Sequence, residues 1–316
     1  MGAGEFDLIR RWFTRAPRHP GVILGVGDDG ALLASERGGE LAVTTDALVA
    51  GVHFFPDTDP EALGHKALAV SLSDLAAMGA EPRWFTLALS LPAADEAWLT
   101  AFARGLWALA ERAGIDLVGG DTTCAPQVVV TVTAAGAVPA GLALRRAGAR
   151  AGDRIYCSGD LGGAALAVRE RLAGRTPPPA AAARLDRPTP RLDLGRRLRG
   201  LASACIDCSD GLAADLGHIL AASGVGARVR LADLPLHTDL AALPEAEAWD
   251  LALGGGDDYE LIFTVPPARE AELHTRLAAL DVPVRPIGEI TARPGLLLEA
   301  PDGRPYTPAR TGHAHF

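Results

Sequence analysis

The sequence predicts an α/β (α+β) protein built from two domains. Three observations carry that expectation. Short runs rich in Val, Leu and Thr alternate with apolar or amphipathic stretches of helical length along the chain. A length of 316 residues with 48% hydrophobic content supplies material for two cores of ordinary size. A basic, glycine-rich run at 145–153, RRAGARAGD, interrupts the alternation near its midpoint and reads as a junction. The expected domains are therefore 1–147 and 148–316.

Taken in order, GVILGVGDDGALLAS (21–35) reads as two short strands around Asp28 and Asp29, which follow Gly27. LAVTTDA (41–47) reads as a strand ending in polar residues. PEALGHKALAVSLSDLAAMG (60–79) is expected to be a helix, opened by Pro and Glu and stopped at Gly79. RWFTLALSL (83–91) is a strand, and Trp98, Phe102, Leu106 and Ala110 recur at the interval of an amphipathic helix. IDLVGGD and QVVVTVTAAGAV are strands again. The uncharged run from Thr122 to Leu144 has spanning length, but its Val-Thr alternation and two prolines make it strand and turn. After the junction come a strand at RIYCSG, a loop with an Ala-rich helical piece at 175–190, and renewed strand-helix alternation.

Bulk properties remove several classes of function. A net charge of −9 argues against a general nucleic-acid binder. MGAGEFDLIRRWF has no cleavable-signal pattern, no membrane-spanning helix is expected, and the expected compartment is the cytoplasm. Cys205 and Cys208 have C-x-x-C spacing, but no second pair completes a zinc site, so they read as small apolar residues at a strand end. Lys66 is the only lysine, and neither G-x-x-x-x-G-K-[ST] nor V-A-I-K occurs, which excludes P-loop and protein-kinase architectures.

The aspartates are the informative pattern. Asp28 and Asp29, Asp46, Asp74, Asp121, Asp207 and Asp210, and Asp257 and Asp258 fall in six apolar-flanked segments, most of them beside Gly or Thr after a strand. Any one of them could be a turn or a helix cap. Together they would repel one another and resist ionisation unless cations hold them. Oxygen-rich sites of this kind suit Mg²⁺, Mn²⁺ or Ca²⁺. LVGGD and LGGGDD read as Gly-rich turns whose N–H groups could approach phosphate, with Arg145 and Arg146 as candidate nucleotide contacts.

GEFDLIRRWF, GVGDDGALL, VTTDALVAGVHF, KALAVSLSDLAAMGAEPRW, LVGGDTT, RAGARAGDRIYCSG, IDCSDGLAADLGHI and GGGDDYELIFTV, in this order, closely resemble the thiamine-monophosphate kinase family. The resemblance implies a two-domain synthetase-like fold and transfer of the ATP γ-phosphoryl group to thiamine monophosphate. It also implies several Mg²⁺ ions and a homodimer that pairs its N-terminal sheets. The residues matching the family's magnesium ligands are Asp29, Thr44, Thr45, Asp46, Asp74, Asp121, Asp207 and Asp210. Gly120, Asp121, Arg146 and Ser209 match its ATP contacts. His53, Asp257 and His313 match its substrate contacts, with Asp257 where relatives often have Glu and His313 where they often have Tyr. No general base is implied, because the acceptor phosphate is already anionic. Two other readings stay open: a sister ATP-using synthetase, and a non-catalytic thiamine-phosphate-binding module. The missing early Cys and Lys count against a selenophosphate synthetase.

Overall fold

The computed structural model describes residues 22–24, 27–34 and 39–312. Its first half is a six-stranded mixed sheet of β1 (Val22–Leu24), β2 (Ala31–Ala34), β3 (Gly39–Val49), β4 (Glu81–Leu91), β5 (Asp116–Cys124) and β6 (Val129–Pro139). Their order is β1-β2-β3-β6-β4-β5, and only the β4–β5 pair is parallel. Val130, Val132 and Ala134 alternate inward along β6, and Phe85 and Leu89 do so along β4, giving one buried face.

Two helices cover that face: α1 (Pro60–Ala77) and α2 (Glu96–Ala113). Asp59 caps α1 by accepting N–H bonds from Glu61 and Ala62, Pro60 occupies the first turn, and Gly79 at φ 66° ends the segment. Residues Ala62 through Ser73 of α1 are buried without interruption, including Lys66, Ser71 and Ser73. A helix apolar on every side must be covered on every side. The α2 stripe of Phe102, Leu106 and Ala110 supplies one cover, with Trp98 stacked on Phe102. The two helices cross at Gly64 and Gly105, where a Cβ on either would collide with the carbonyl oxygen of Phe102 or Glu61. Gly105→Ala is therefore expected to destabilise the fold by about 3 kcal/mol, read as a lower urea midpoint with unchanged slope.

The second half contains β7 (Arg154–Ser158), α3 (Gly163–Leu172), α4 (Pro179–Asp186), α5 (Leu192–Leu198), β8 (Ala204–Asp207), α6 (Leu212–Ser223) and β9 (Gly226–Arg230). It continues with α7 (Glu245–Gly254), β10 (Leu261–Val265), α8 (Glu270–Leu277), β11 (Val284–Thr291), β12 (Gly295–Glu299) and β13 (Pro305–Tyr306). The strand order is β13-β12-β9-β11-β7-β10-β8, with only β9 and β12 parallel. Both halves are thus mixed α/β, as expected, with eight α-helices among the described residues. Cys157, Cys205 and Cys208 are buried, so the C-x-x-C pair belongs to the core.

The remaining cover of α1 comes from this second half. It touches α4, α5 and β8, and Gly195 of α5 lies so close to the Ala76 carbonyl that no Cβ would fit. Ala76 and Ala77 join Leu194, Leu198 and Phe263 in one apolar cluster.

Two local expectations change. β3 does not end at Asp46 but runs to Val49, leaving Asp46 in mid-strand opposite Val132. LVGGD is not a turn: Gly119, Gly120 and Asp121 lie inside β5, past an irregularity between Phe85 and Thr86 of β4. Gly120, at φ 154°, sits against the Leu87 carbonyl, so strand packing leaves no room there for a Cβ.

Candidate active site

Three aspartates from distant segments meet. Asp29 precedes β2, Asp74 projects from α1, and Asp207 ends β8; carboxylate oxygens of the three lie within 4.8 Å of one another. Asp46 approaches from β3 and accepts a 2.6 Å hydrogen bond from Ser71 Oγ. Ser73 Oγ donates to Asp207 Oδ2 at 2.6 Å, joining α1 of the first half to β8 of the second. The Thr44 hydroxyl donates to Asp74.

Burial acts on all four acids, and repulsion from neighbouring carboxylates adds to it at Asp46, Asp74 and Asp207. Burial, then the carboxylates of Asp46, Asp207 and Asp29, push Asp74 well above the usual carboxylate range. Burial, then Asp29, push Asp207 up to about 8. Burial also raises Asp46, although the Ser71 hydroxyl opposes it. Burial raises Asp29 against the pull of Arg146. Beside them, burial and Asp29 bring Asp28 up to about 6.

Arg146 meets this pair directly. Its Nη2 lies 2.6 Å from Asp29 Oδ1, and its backbone N–H donates to both oxygens of Asp28. Burial works against the guanidinium charge, but Asp29 and Asp28 hold its pKa above the usual arginine value. One arginine cannot balance the whole cluster, and Asp29 Oδ2 is buried without a hydrogen-bond partner. An all-oxygen donor set with an orphaned carboxylate oxygen fits a hard divalent cation.

From the cluster a groove of about 1310 Å³ runs between the halves. It is bordered by Asp46, His53, Lys66, Ser209, Asp210 and Asp257, among others. His53 Nδ1 accepts the Val49 N–H. Asp257 and Tyr259 have left-handed φ values of 67° and 50°. Their loop is pinned to the 208–209 segment, because the Asp257 N–H donates to Ser209 O and the Tyr259 N–H to Cys208 O. Glu260 anchors it from behind through Arg184, Arg191 and Ser158. Burial alone would raise Glu260, but the two guanidinium groups and the serine hydroxyl hold it below the usual glutamate range. Asp258 accepts the Gly162 N–H inside the core and does not face the groove.

The expected ion ligands therefore divide. Asp29, Asp46, Asp74 and Asp207 gather, with Thr44 behind Asp74 and Asp210 on the groove wall. The Thr45 hydroxyl lies 2.9 Å from that of Thr133, and Thr45 borders the groove beside Asp46. Gly120 and Asp121 do not reach the cluster. Asp46, Val132, Leu87 and Gly120 follow one another across adjacent strands, so Asp121 lies three strand spacings, about 14 Å, from Asp46. The Asp121 carboxylate accepts its neighbour Thr122's N–H at the exposed edge. His313 lies outside the described residues.

Ser71, Ser73 and Tyr259 had no role in the sequence reading. A signal for the serines exists: two hydroxyls in the apolar run AVSLSDLAA, three and one residues before Asp74.

Comparison with known proteins agrees with this architecture. Residues 27–138 match the family "AIR synthase related protein, N-terminal domain", and residues 150–299 match its C-terminal domain. Thiamine-monophosphate kinase of Escherichia coli (strain K12) is 48% identical over 323 residues, covering 100% of this chain and 99% of that protein. The crystal structure of thiamine-monophosphate kinase from Stenotrophomonas maltophilia K279a is 47% identical, with a TM-score of 0.81, covering 96% of this chain and 98% of that one. AaThiL complexed with AMPPCP and TMP is 30% identical, with a TM-score of 0.84, covering 99% of this chain and 97% of that one. With a cluster of aspartates at the head of a cleft and full-length identity near one half, the chain belongs to the thiamine-monophosphate kinase family.

Proposed function

We propose that this chain transfers the γ-phosphoryl group of ATP to thiamine monophosphate, yielding thiamine diphosphate and ADP. The observation that carries the reading is the convergence of Asp29, Asp74 and Asp207 within 4.8 Å of one another, with Asp46 of the same cluster in the groove wall. An oxygen of the acceptor phosphate forms the new bond to the γ-phosphorus as the bond to the β,γ-bridging oxygen breaks. That oxygen is already anionic near neutral pH, so no side chain has to remove a proton. ATP carries about four negative charges and the acceptor about two, and their approach needs charge neutralisation and alignment. Several Mg²⁺ ions would supply the neutralisation. Asp29, Asp46, Asp74 and Asp207 would hold them, Thr44, Ser71 and Ser73 keep those carboxylates oriented, and Asp210 borders the same groove. Arg146 and Ser209 are assigned to the nucleotide, and His53, Asp257 and His313 to thiamine monophosphate.

A homodimer is part of the proposal. β5 is an exposed edge strand with Val118 at 62% exposure, and such edges invite pairing. Gly120 and Asp121, which stand apart from the cluster within one chain, would join an active site if a second copy paired along β5. No helix among the described residues is long and apolar enough to cross a membrane, and all four cysteines are free thiols, in keeping with a cytoplasmic setting.

Purified protein given ATP, Mg²⁺ and thiamine monophosphate is expected to form ADP and thiamine diphosphate in equal amounts, with light scattering giving twice the chain mass. Ligand binding without ADP would mark a binding module. ADP released only with a purine precursor would mark a sister synthetase.

A further inference from the structure

We propose that Lys66 is a positioning residue for Asp257, fixing which carboxylate oxygen faces the groove and thereby setting the affinity for the acceptor substrate. The inference rests on the reading of the groove as the thiamine-monophosphate site.

Lys66 is the single lysine among 30 basic residues, and it is buried in the wall of the groove. Its Nζ lies 3.0 Å from Asp257 Oδ1. The Tyr259 hydroxyl donates to the same oxygen at 2.9 Å. Burial, then the Asp257 carboxylate, push the Tyr259 phenol well above its ordinary range, so it stays a proton donor. Two donors therefore occupy Oδ1, and among the described residues Oδ2 has no partner. That leaves Oδ2 as an acceptor for a substrate N–H, such as the exocyclic amine of an aminopyrimidine ring.

The backbone shows why such a hold is needed. Asp257 and Tyr259 are the only non-glycine residues with left-handed φ among the described residues. A short Asp side chain on such a backbone has no helix or strand neighbours to fix its rotamer. Lys66 reaches it from α1, a helix buried without interruption from Ala62 to Ser73, and so ties a strained loop to a rigid support.

An alternative task, clamping the transferred phosphate, conflicts with the spacing. Lys66, Val70 and Asp74 share one face of α1, two turns apart end to end, which is about 12 Å along the axis. Asp74 is in the acidic cluster, whereas the Lys66 ammonium is engaged by Asp257.

The test compares Lys66→Met, Asp257→Asn and the double variant by steady-state kinetics at saturating ATP, and by calorimetric binding of thiamine monophosphate without ATP. Lys66→Met is expected to raise KM and Kd for thiamine monophosphate roughly 10- to 100-fold, the effect of losing one charge-assisted hydrogen bond. Its kcat and its KM for ATP should stay within about twofold. In the Asp257→Asn background the lysine change should add less than about threefold, because the two residues act as one unit. Should Lys66→Met fail to fold, Tyr259→Phe removes the other Oδ1 donor without leaving a buried charge unpaired. It should move the same KM in the same direction, again without adding to Asp257→Asn. An unmoved KM and Kd, an effect falling on kcat or ATP instead, or additivity with Asp257→Asn would overturn the assignment. Wild-type protein that makes no thiamine diphosphate would refute the activity itself, whereas wild-type turnover with an unmoved KM refutes only the role of Lys66.

Discussion

Asp74→Asn is expected to slow phosphoryl transfer by roughly a thousandfold or more while leaving the metal-free protein more resistant to heat. The two effects share one cause. Asp74 is the residue of the cluster on which the other acids press hardest, with Asp46, Asp207 and Asp29 all raising its pKa on top of burial. Asparagine has the same shape and still accepts the Thr44 hydroxyl, so packing around α1 is preserved. What it loses is charge. Without cations that loss relieves the repulsion and the cost of burying charge that raise the Asp74 pKa. With ATP and thiamine monophosphate present, the same loss removes an ion ligand between two polyanions. Product formation and thermal melting in a chelator give the two readouts. Near-normal turnover would reject the assignment, and a large drop in melting temperature would make Asp74 a structural residue instead.

The second large effect concerns pH and metal together. The metal-free protein should melt at progressively lower temperature as pH rises, and added Mg²⁺ should restore more stability at pH 8 than at pH 6. Asp28 and Asp207 have pKa values of about 6 and about 8 in the fold, against an ordinary 3.8. Below pH 3.8 both folded and unfolded chains hold these protons, so the acids add no pH dependence there. Above it the unfolded chain releases protons that the folded one retains, and stability falls with rising pH. The fall is complete once the pH passes the folded value, near 8 for Asp207. Mg²⁺ binds the ionised form, so protons compete with it at the lower pH and hardly at the higher. At a free concentration of about 100 Kd the ion adds roughly 2.7 kcal/mol. Differential scanning fluorimetry across this range, with chelator or with Mg²⁺, measures both slopes. A metal-free melting temperature that climbs from pH 6 to pH 8 would contradict the picture.

Much of this is legible in the amino-acid sequence. Periodicity located α2 and most strands, because those segments answer to a single buried face, whereas α1 was marked by its Pro-Glu start and its stop at Gly79. The aspartates were conspicuous because charge in an apolar setting has few explanations, and Asp29, Asp46, Asp74 and Asp207 do assemble. LVGGD misled because glycine next to aspartate looks alike in a phosphate turn and in a strand pressed against its neighbour; only the Leu87 carbonyl beside Gly120 tells them apart. The separation of Asp121 from Asp46 within one chain is not legible in the sequence, because three strand spacings are a property of sheet order. The Lys66–Asp257 pair joins positions 191 residues apart (257 − 66), beyond the reach of any local pattern.

Helix α1 also bears on how the chain acquires its shape during synthesis. A ribosome has completed α1 well before α4, α5 and β8 exist, and the strip carrying Ala76 and Ala77 has no permanent cover until those later elements emerge. A nascent first half is thus left with a sticky flank in the crowded cell, where exposed apolar surface favours aggregation. Severing the polypeptide near residue 147 would make that state lasting. The two segments are separable as sequence, yet their maturation is joint, and the last step that buries α1 is also the one that brings Asp207 to Ser73.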